Sequence, residues 1–117
     1  MENLQSMIGI DIVSVSRIKE VYDKHQDRFL KKFLTQDEIS YINNIESYIV
    51  KLKTITTFFS IKESMYKCGF NPKSFTILKI NSRYKIQGND DIYISTTNDN
   101  GMIISVVFVN NRHNLFF

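Results

Sequence analysis

Two acids and two lysines stand out by where they fall. Asp11 interrupts the apolar run Gly9-Ile10-Asp11-Ile12-Val13, and Glu63 lies between Lys62 and Lys67 in Phe59-Ser60-Ile61-Lys62-Glu63-Ser64-Met65-Tyr66-Lys67. A carboxylate among isoleucines is costly to bury alone, so Asp11 needs a partner. Two carboxylates suit a hard divalent cation that keeps positions open for phosphate oxygens and water, and two ammonium groups suit pyrophosphate charge. Each acid also has a plainer reading. Asp11 precedes a helix, where a carboxylate meets free N–H groups and the positive end of the dipole. Glu63 and Lys67, four residues apart, would form a surface ion pair worth about 0.2–0.5 kcal/mol.

A third group is basic. Arg17, Lys24, Arg28 and Lys31 fall within about 60° of one another if one helix carries them all. Such a stripe suits an acidic partner helix, and equally an ordinary solvated face. The break expected at His25-Gln26-Asp27 interrupts it. His25 and His113 have no supporting motif and read as surface histidines. Leu115-Phe116-Phe117 reads as core packing or subunit contact.

Positioning these groups requires a small folded unit. The chain has 117 residues with 43% hydrophobic and 23% charged content, ordinary globular usage for a single domain, and residues 1–6 read as a short extension. A formal charge of +3 gives little support for a nucleic-acid binder, and the aromatics do not interleave with basic residues. Cys68 is the single cysteine, so no intrachain disulfide is possible, and it reads as a small buried residue near a helix end. With no signal-peptide pattern and no apolar run near the roughly 18 residues of a membrane span, a cytoplasmic protein is expected.

The first strand is expected over residues 7–13, followed by a helix in which Val15, Ile18 and Tyr22 recur at helical spacing. Thr35-Gln36-Asp37-Glu38 is a capping box that should start a helix running to about Asn43. The longest helix is expected from about Tyr48 to Cys68, ended by Gly69 and Pro72. The period then changes to two, giving strands over 75–81, 83–87, 91–97 and 102–109, with Gly88-Asn89-Asp90 and Asn98-Asp99-Asn100-Gly101 as turns. The expected fold is α+β, an antiparallel sheet packed against one long and two shorter helices.

Gly9-Ile10-Asp11-Ile12-Val13, Arg17-Ile18, Asp27-Arg28-Phe29 through Phe33-Leu34-Thr35 and Glu38, and Phe59-x-x-Lys62-Glu63-x-x-x-Lys67 occur in that order. From about Met7 to Val109 the chain resembles the holo-acyl-carrier-protein synthase type of 4'-phosphopantetheinyl transferase. The last segment is similar to that family's Phe-x-x-Lys-Glu-Ala-x-x-Lys helix. The resemblance implies Mg²⁺-dependent transfer of 4'-phosphopantetheine from coenzyme A to a serine of an acyl or peptidyl carrier protein, releasing 3',5'-ADP. It implies that Asp11 and Glu63 hold Mg²⁺, and that Lys62, Lys67, Ser95 and Thr96 contact coenzyme A. It further implies that Arg17, Lys24 and Arg28 dock the carrier, and that a homotrimer places sites between subunits.

The chain departs from the family at four places. Phe58 replaces a frequent arginine, Cys68-Gly69-Phe70-Asn71-Pro72 replaces a glycine-rich loop, and a Gly-Lys-Pro turn with its short helix is missing before the last two strands. Thr96 stands in place of a frequent histidine. The alternative is therefore a catalytically weak relative that binds a carrier protein or nucleotide without transfer.

Overall fold

A computed structural model of the chain describes residues 7–110; His113, the N-terminal extension and the terminal Leu115-Phe116-Phe117 lie outside the described residues. β1 (Met7–Ser14) leads into α1 (Val15–His25), α2 (Asp27–Leu30), α3 (Gln36–Asn43) and the long α4 (Tyr48–Lys67). A 3₁₀ turn at Pro72–Ser74 then precedes β2 (Ile77–Ile80), β3 (Arg83–Ile86), β4 (Ile92–Asp99) and β5 (Met102–Val109).

Local chemistry explains the boundaries. The Ser14 hydroxyl accepts the Arg17 N–H at 3.3 Å and starts α1. The capping box of α3 forms in full: the Thr35 N–H donates to Glu38 Oε1 at 2.7 Å and the Glu38 N–H to Thr35 Oγ1 at 3.3 Å. α4 ends in a Schellman arrangement, with the Gly69 N–H on the Tyr66 carbonyl and the Phe70 N–H on that of Met65. Gly69 takes φ 94°, which its missing Cβ allows.

The break expected at His25-Gln26-Asp27 is present: Gln26 turns to φ 49° and separates Lys24 on α1 from Arg28 on α2, so the basic stripe does not ride on one helix. The strands form two units, a three-stranded antiparallel sheet ordered β1-β5-β4 and a separate β2-β3 hairpin. A tight turn after β3, closed by the Ile86–Asn89 bridge, breaks the ladder before β3 can pair with β4.

α4 is the centre of the molecule. Leu52, Ile55, Phe58, Ile61 and Met65 are buried with Ile18, Leu34 and Val107 in one core. Thr54, Thr56 and Thr57 bury their hydroxyls in α4 by donating to carbonyls one turn back, at 2.7–2.8 Å. The helix lies directly on β1 at Gly9, where a Cβ would fall 2.0 Å from the Ser64 carbonyl oxygen. Glycine here permits backbone-to-backbone approach, which sets the strand that carries Asp11 directly against the helix that carries Glu63.

Candidate functional site

β1 carries Asp11 towards α4, because Gly9, Asp11 and Val13 share the inner face while Ile8, Ile10 and Ile12 face outward. Lys67 reaches back from the last turn of α4. Its Nζ donates to the Ile10 carbonyl at 2.7 Å and lies 3.4 Å from Asp11 Oδ1. Two turns earlier, the Ser60 hydroxyl meets the Asp11 carbonyl at 3.3 Å. Half-buried Glu63 lies between Ser60 and Lys67 on the same side of the helix, the side on which both of those residues meet β1 at Ile10 and Asp11. The surface Glu63–Lys67 pair is not formed; Lys67 pairs with Asp11 instead.

The Asp11 carboxylate is only half satisfied. Oδ1 has Lys67, whereas Oδ2 is buried without a hydrogen-bond partner. Buried polar atoms are almost always paired, so an orphaned carboxylate oxygen needs a physical account. A cation held between Asp11 and Glu63 would supply one. Among the described residues no group of three or more His, Cys, Asp or Glu forms a closed metal cage. Two carboxylates with open surroundings fit magnesium, which binds few protein ligands and keeps several waters. The Lys67 side chain is 53% exposed against 15% for Asp11, so its ammonium is also open to an anion.

Lys62 is placed elsewhere, which corrects the expected phosphate contact. Consecutive residues turn about 100° around a helix, so Lys62 points away from Asp11 towards α3. It is 1% exposed, and its Nζ lies 2.9 Å from Glu38 Oε1, itself buried. The ammonium also donates to the Pro72 and Phe75 carbonyls at 2.5 and 2.8 Å and sits 4.1 Å from the centre of the Phe75 ring. Glu38 Oε2 accepts the Ile77 N–H at 2.6 Å, so the pair ties α3, α4 and β2 into one unit. Burial holds the Lys62 ammonium below its usual range, with the Glu38 charge opposing that shift.

Phe58, at the position of the family's arginine, is 1% exposed, stacked on Tyr41 at 6.1 Å and met edge-on by Tyr84 at 6.2 Å. It is a core residue. Ser95 and Thr96 lie on β4, where they line an open depression with Arg83 and Tyr84. Thr96, Ser105 and Asp11 are partners in one row across the sheet. Ser105 at the middle of that row is covered by α4 through Ser60 and Ser64, so one chain does not join Asp11 with Ser95 and Thr96. Arg17, Lys24 and Arg28 are all exposed, and Arg28 Nη2 lies 2.9 Å from His25 Nδ1.

Sequence reasoning missed three roles. Glu38 was legible as a cap but not as the buried partner of Lys62. Gly9 was legible in the motif, but the close approach it permits was not. Ser60 and Ser64, one turn apart on an apolar helix face, were the available signal for a buried hydroxyl cluster with Ser105.

Residues 7–109 match a sequence model of the 4'-phosphopantetheinyl transferase superfamily. The holo-[acyl-carrier-protein] synthase of Wolinella succinogenes is 34% identical, over 91% of this chain and 98% of its own length. That of Campylobacter hominis is 32% identical, over 88% of this chain and 96% of its own. Among solved structures, the Helicobacter pylori holo-[acyl-carrier-protein] synthase in complex with coenzyme A aligns with a TM-score of 0.70 at 27% identity, covering 89% of this chain and 100% of the other. The Neisseria meningitidis synthase aligns at 0.73 with 18% identity, over 88% and 96%, a likeness of fold.

Proposed function

Since the chain belongs to the 4'-phosphopantetheinyl transferase superfamily, as a transferase of the holo-acyl-carrier-protein synthase type, we propose that it moves 4'-phosphopantetheine from coenzyme A to a serine of an apo acyl carrier protein. The observation that carries this reading is the buried, unpartnered Asp11 Oδ2 beside Glu63 and Lys67. Asp11 and Glu63 would hold Mg²⁺, which when bound supplies charge neutralisation at the pyrophosphate. Lys67, anchored by the Ile10 carbonyl and open to solvent, orients a phosphate oxygen beside it. In the transfer, a bond forms between the carrier serine oxygen and phosphorus, the bond to 3',5'-ADP breaks, and the serine proton is lost.

The reading extends to assembly as a homotrimer with sites between subunits. Asp11 and Thr96 stand on opposite flanks of α4, so a ligand touching both needs a second copy. The outer face of the β1-β5-β4 sheet supports association: Ile8, Ile10 and Ile12 are 64%, 56% and 55% exposed, with Tyr93 and Val106 beside them. Sedimentation velocity at micromolar concentration is expected to give a trimer; a monomer that still transfers would sink the shared site.

Arg17, Lys24 and Arg28 would dock the acidic carrier. Arg17→Glu is expected to weaken carrier binding about tenfold at low salt and less at high salt, since the contact is electrostatic. An affinity unchanged at every ionic strength returns these residues to a solvated face. Cytoplasmic placement is part of the same reading; among the described residues no helix is long and apolar enough to cross a membrane.

The alternative, a carrier- or nucleotide-binding relative without transfer, draws on Phe58 and Lys62. Both are in the core, so Lys62, expected at the ligand, is withdrawn from it, and no arginine stands in the place of Phe58.

A further inference from the structure

Behind Asp11 lies a cluster of three hydroxyls that no step above uses. Ser105 Oγ is 2.7 Å from both Ser60 Oγ and Ser64 Oγ. Ser60 Oγ also lies 3.3 Å from the Asp11 carbonyl, and Ser64 Oγ 3.3 Å from the Ser105 carbonyl. All three residues are fully buried. Ser64 occupies the place of the alanine in the family's Lys-Glu-Ala pattern, so its hydroxyl is an addition to that pattern.

Four contacts compete for three hydroxyl protons, one per serine. Four assignments use all three protons, and in three of them Ser60 donates to the Asp11 carbonyl. One of these is a continuous chain, in which Ser64 donates to Ser105, Ser105 to Ser60, and Ser60 to the Asp11 carbonyl. In the fourth, Ser60 donates to Ser105, Ser105 to Ser64, and Ser64 to the carbonyl of Ser105, which ties β5 to α4 and leaves β1 out. Hydrogen bonds in such a chain polarise one another, so its direction decides whether β1 is held.

We propose that the chain runs towards Asp11 and is a positioning device for the carboxylate pair, fixing β1 at Asp11 against the turn of α4 that carries Glu63. The proposal rests on the reading of Asp11 and Glu63 as cation ligands. Lys67 holds the neighbouring Ile10 carbonyl from the other side, so the backbone on which Asp11 is mounted is pinned at two successive carbonyls. Groups that orient ligands in this way set metal affinity without touching the metal.

The test is Mn²⁺ binding to the full chain, read as the loss of the free-ion electron paramagnetic resonance signal, alongside thermal unfolding. Ser60→Ala cuts the link to Asp11 and is expected to weaken Mn²⁺ binding about tenfold. Ser64→Ala makes the same chemical change at the far end, leaves Ser105 and Ser60 bonded to Asp11, and is expected to change Mn²⁺ affinity less than about twofold. Should Ser60→Ala fail to fold, Ser60→Cys, close in size but a weak donor, is expected to lose affinity in the same direction. Equal losses at the two serines, or none at Ser60, overturn the proposal even where both variants melt lower. Wild-type chain that binds no Mn²⁺, or Asp11→Ala that binds it as tightly as wild type, removes the cation reading itself and the proposal with it.

Discussion

Asp11→Ala is expected to lower carrier modification about 10³-fold while the chain stays folded. Removing the carboxylate removes half of the proposed cation site and leaves Lys67 without its ion partner. The stability change should be small, within roughly 1 kcal/mol, because two effects oppose. The lost ion pair involves a largely exposed lysine and contributes little. The lost Oδ2 was a buried atom with no partner, and its removal relieves a desolvation cost. Glu63→Ala should repeat the loss of activity, since it takes away the other acid. Parallel assays of transfer and urea unfolding check both halves. Wild-type activity in either variant would withdraw the cation assignment, whereas unfolding of Asp11→Ala would show the carboxylate to be structural.

Lys62→Met is expected to cost about 3–5 kcal/mol of stability. The substitution keeps the length of the stem but leaves Glu38 as a buried charge whose remaining partners are the Thr35 and Ile77 N–H groups. The Pro72 and Phe75 carbonyls lose a donor at the same time, loosening the segment between α4 and β2. Adding Glu38→Gln removes the stranded charge and should return part of the loss. Alkaline pH gives a second check. Burial lowers the Lys62 pKa in the folded chain, so folded protein releases that proton before unfolded protein does. Between the two pKa values the unfolded state binds more protons, and wild-type stability gains with rising pH from this group. Lys62→Met should lack that gain. Urea titrations at neutral and alkaline pH measure both effects, and a variant as stable as wild type would show that the pair adds nothing.

Much of the fold was legible because its signals are local. The capping box at Thr35 and Glu38 formed as its spacing predicts, and α4 ended at Lys67, with Gly69 terminating it as expected. β1 matched its apolar run, and the change to period two after α4 marked four real strands. Pairing was harder to read. The turn at Asn98–Gly101 marks β4 and β5 as neighbours, but whether β3 also joins β4 depends on turn geometry at Gly88 and Asn89, which the strand pattern does not carry.

Placement of the candidate site residues divided along the same line. That Asp11 and Lys67 would meet was legible because a strand acid and a lysine in the last turn of one helix fall on facing surfaces. Lys62 was misread because its motif neighbours draw it to the ligand, whereas its helix angle turns it to Glu38, a residue whose local role as a cap hid its second role. Phe58 carries the same lesson: the loss of an arginine was visible in the sequence, but the aromatic pocket between Tyr41 and Tyr84 was not.

Intact-mass spectrometry of an apo acyl carrier protein incubated with this chain, coenzyme A and Mg²⁺ tests the central claim most directly. The predicted result is one phosphopantetheine adduct on the carrier, absent when a chelator is added and absent with Glu63→Ala. Several apo carriers left unmodified by folded wild-type chain would contradict transfer and favour the binding relative.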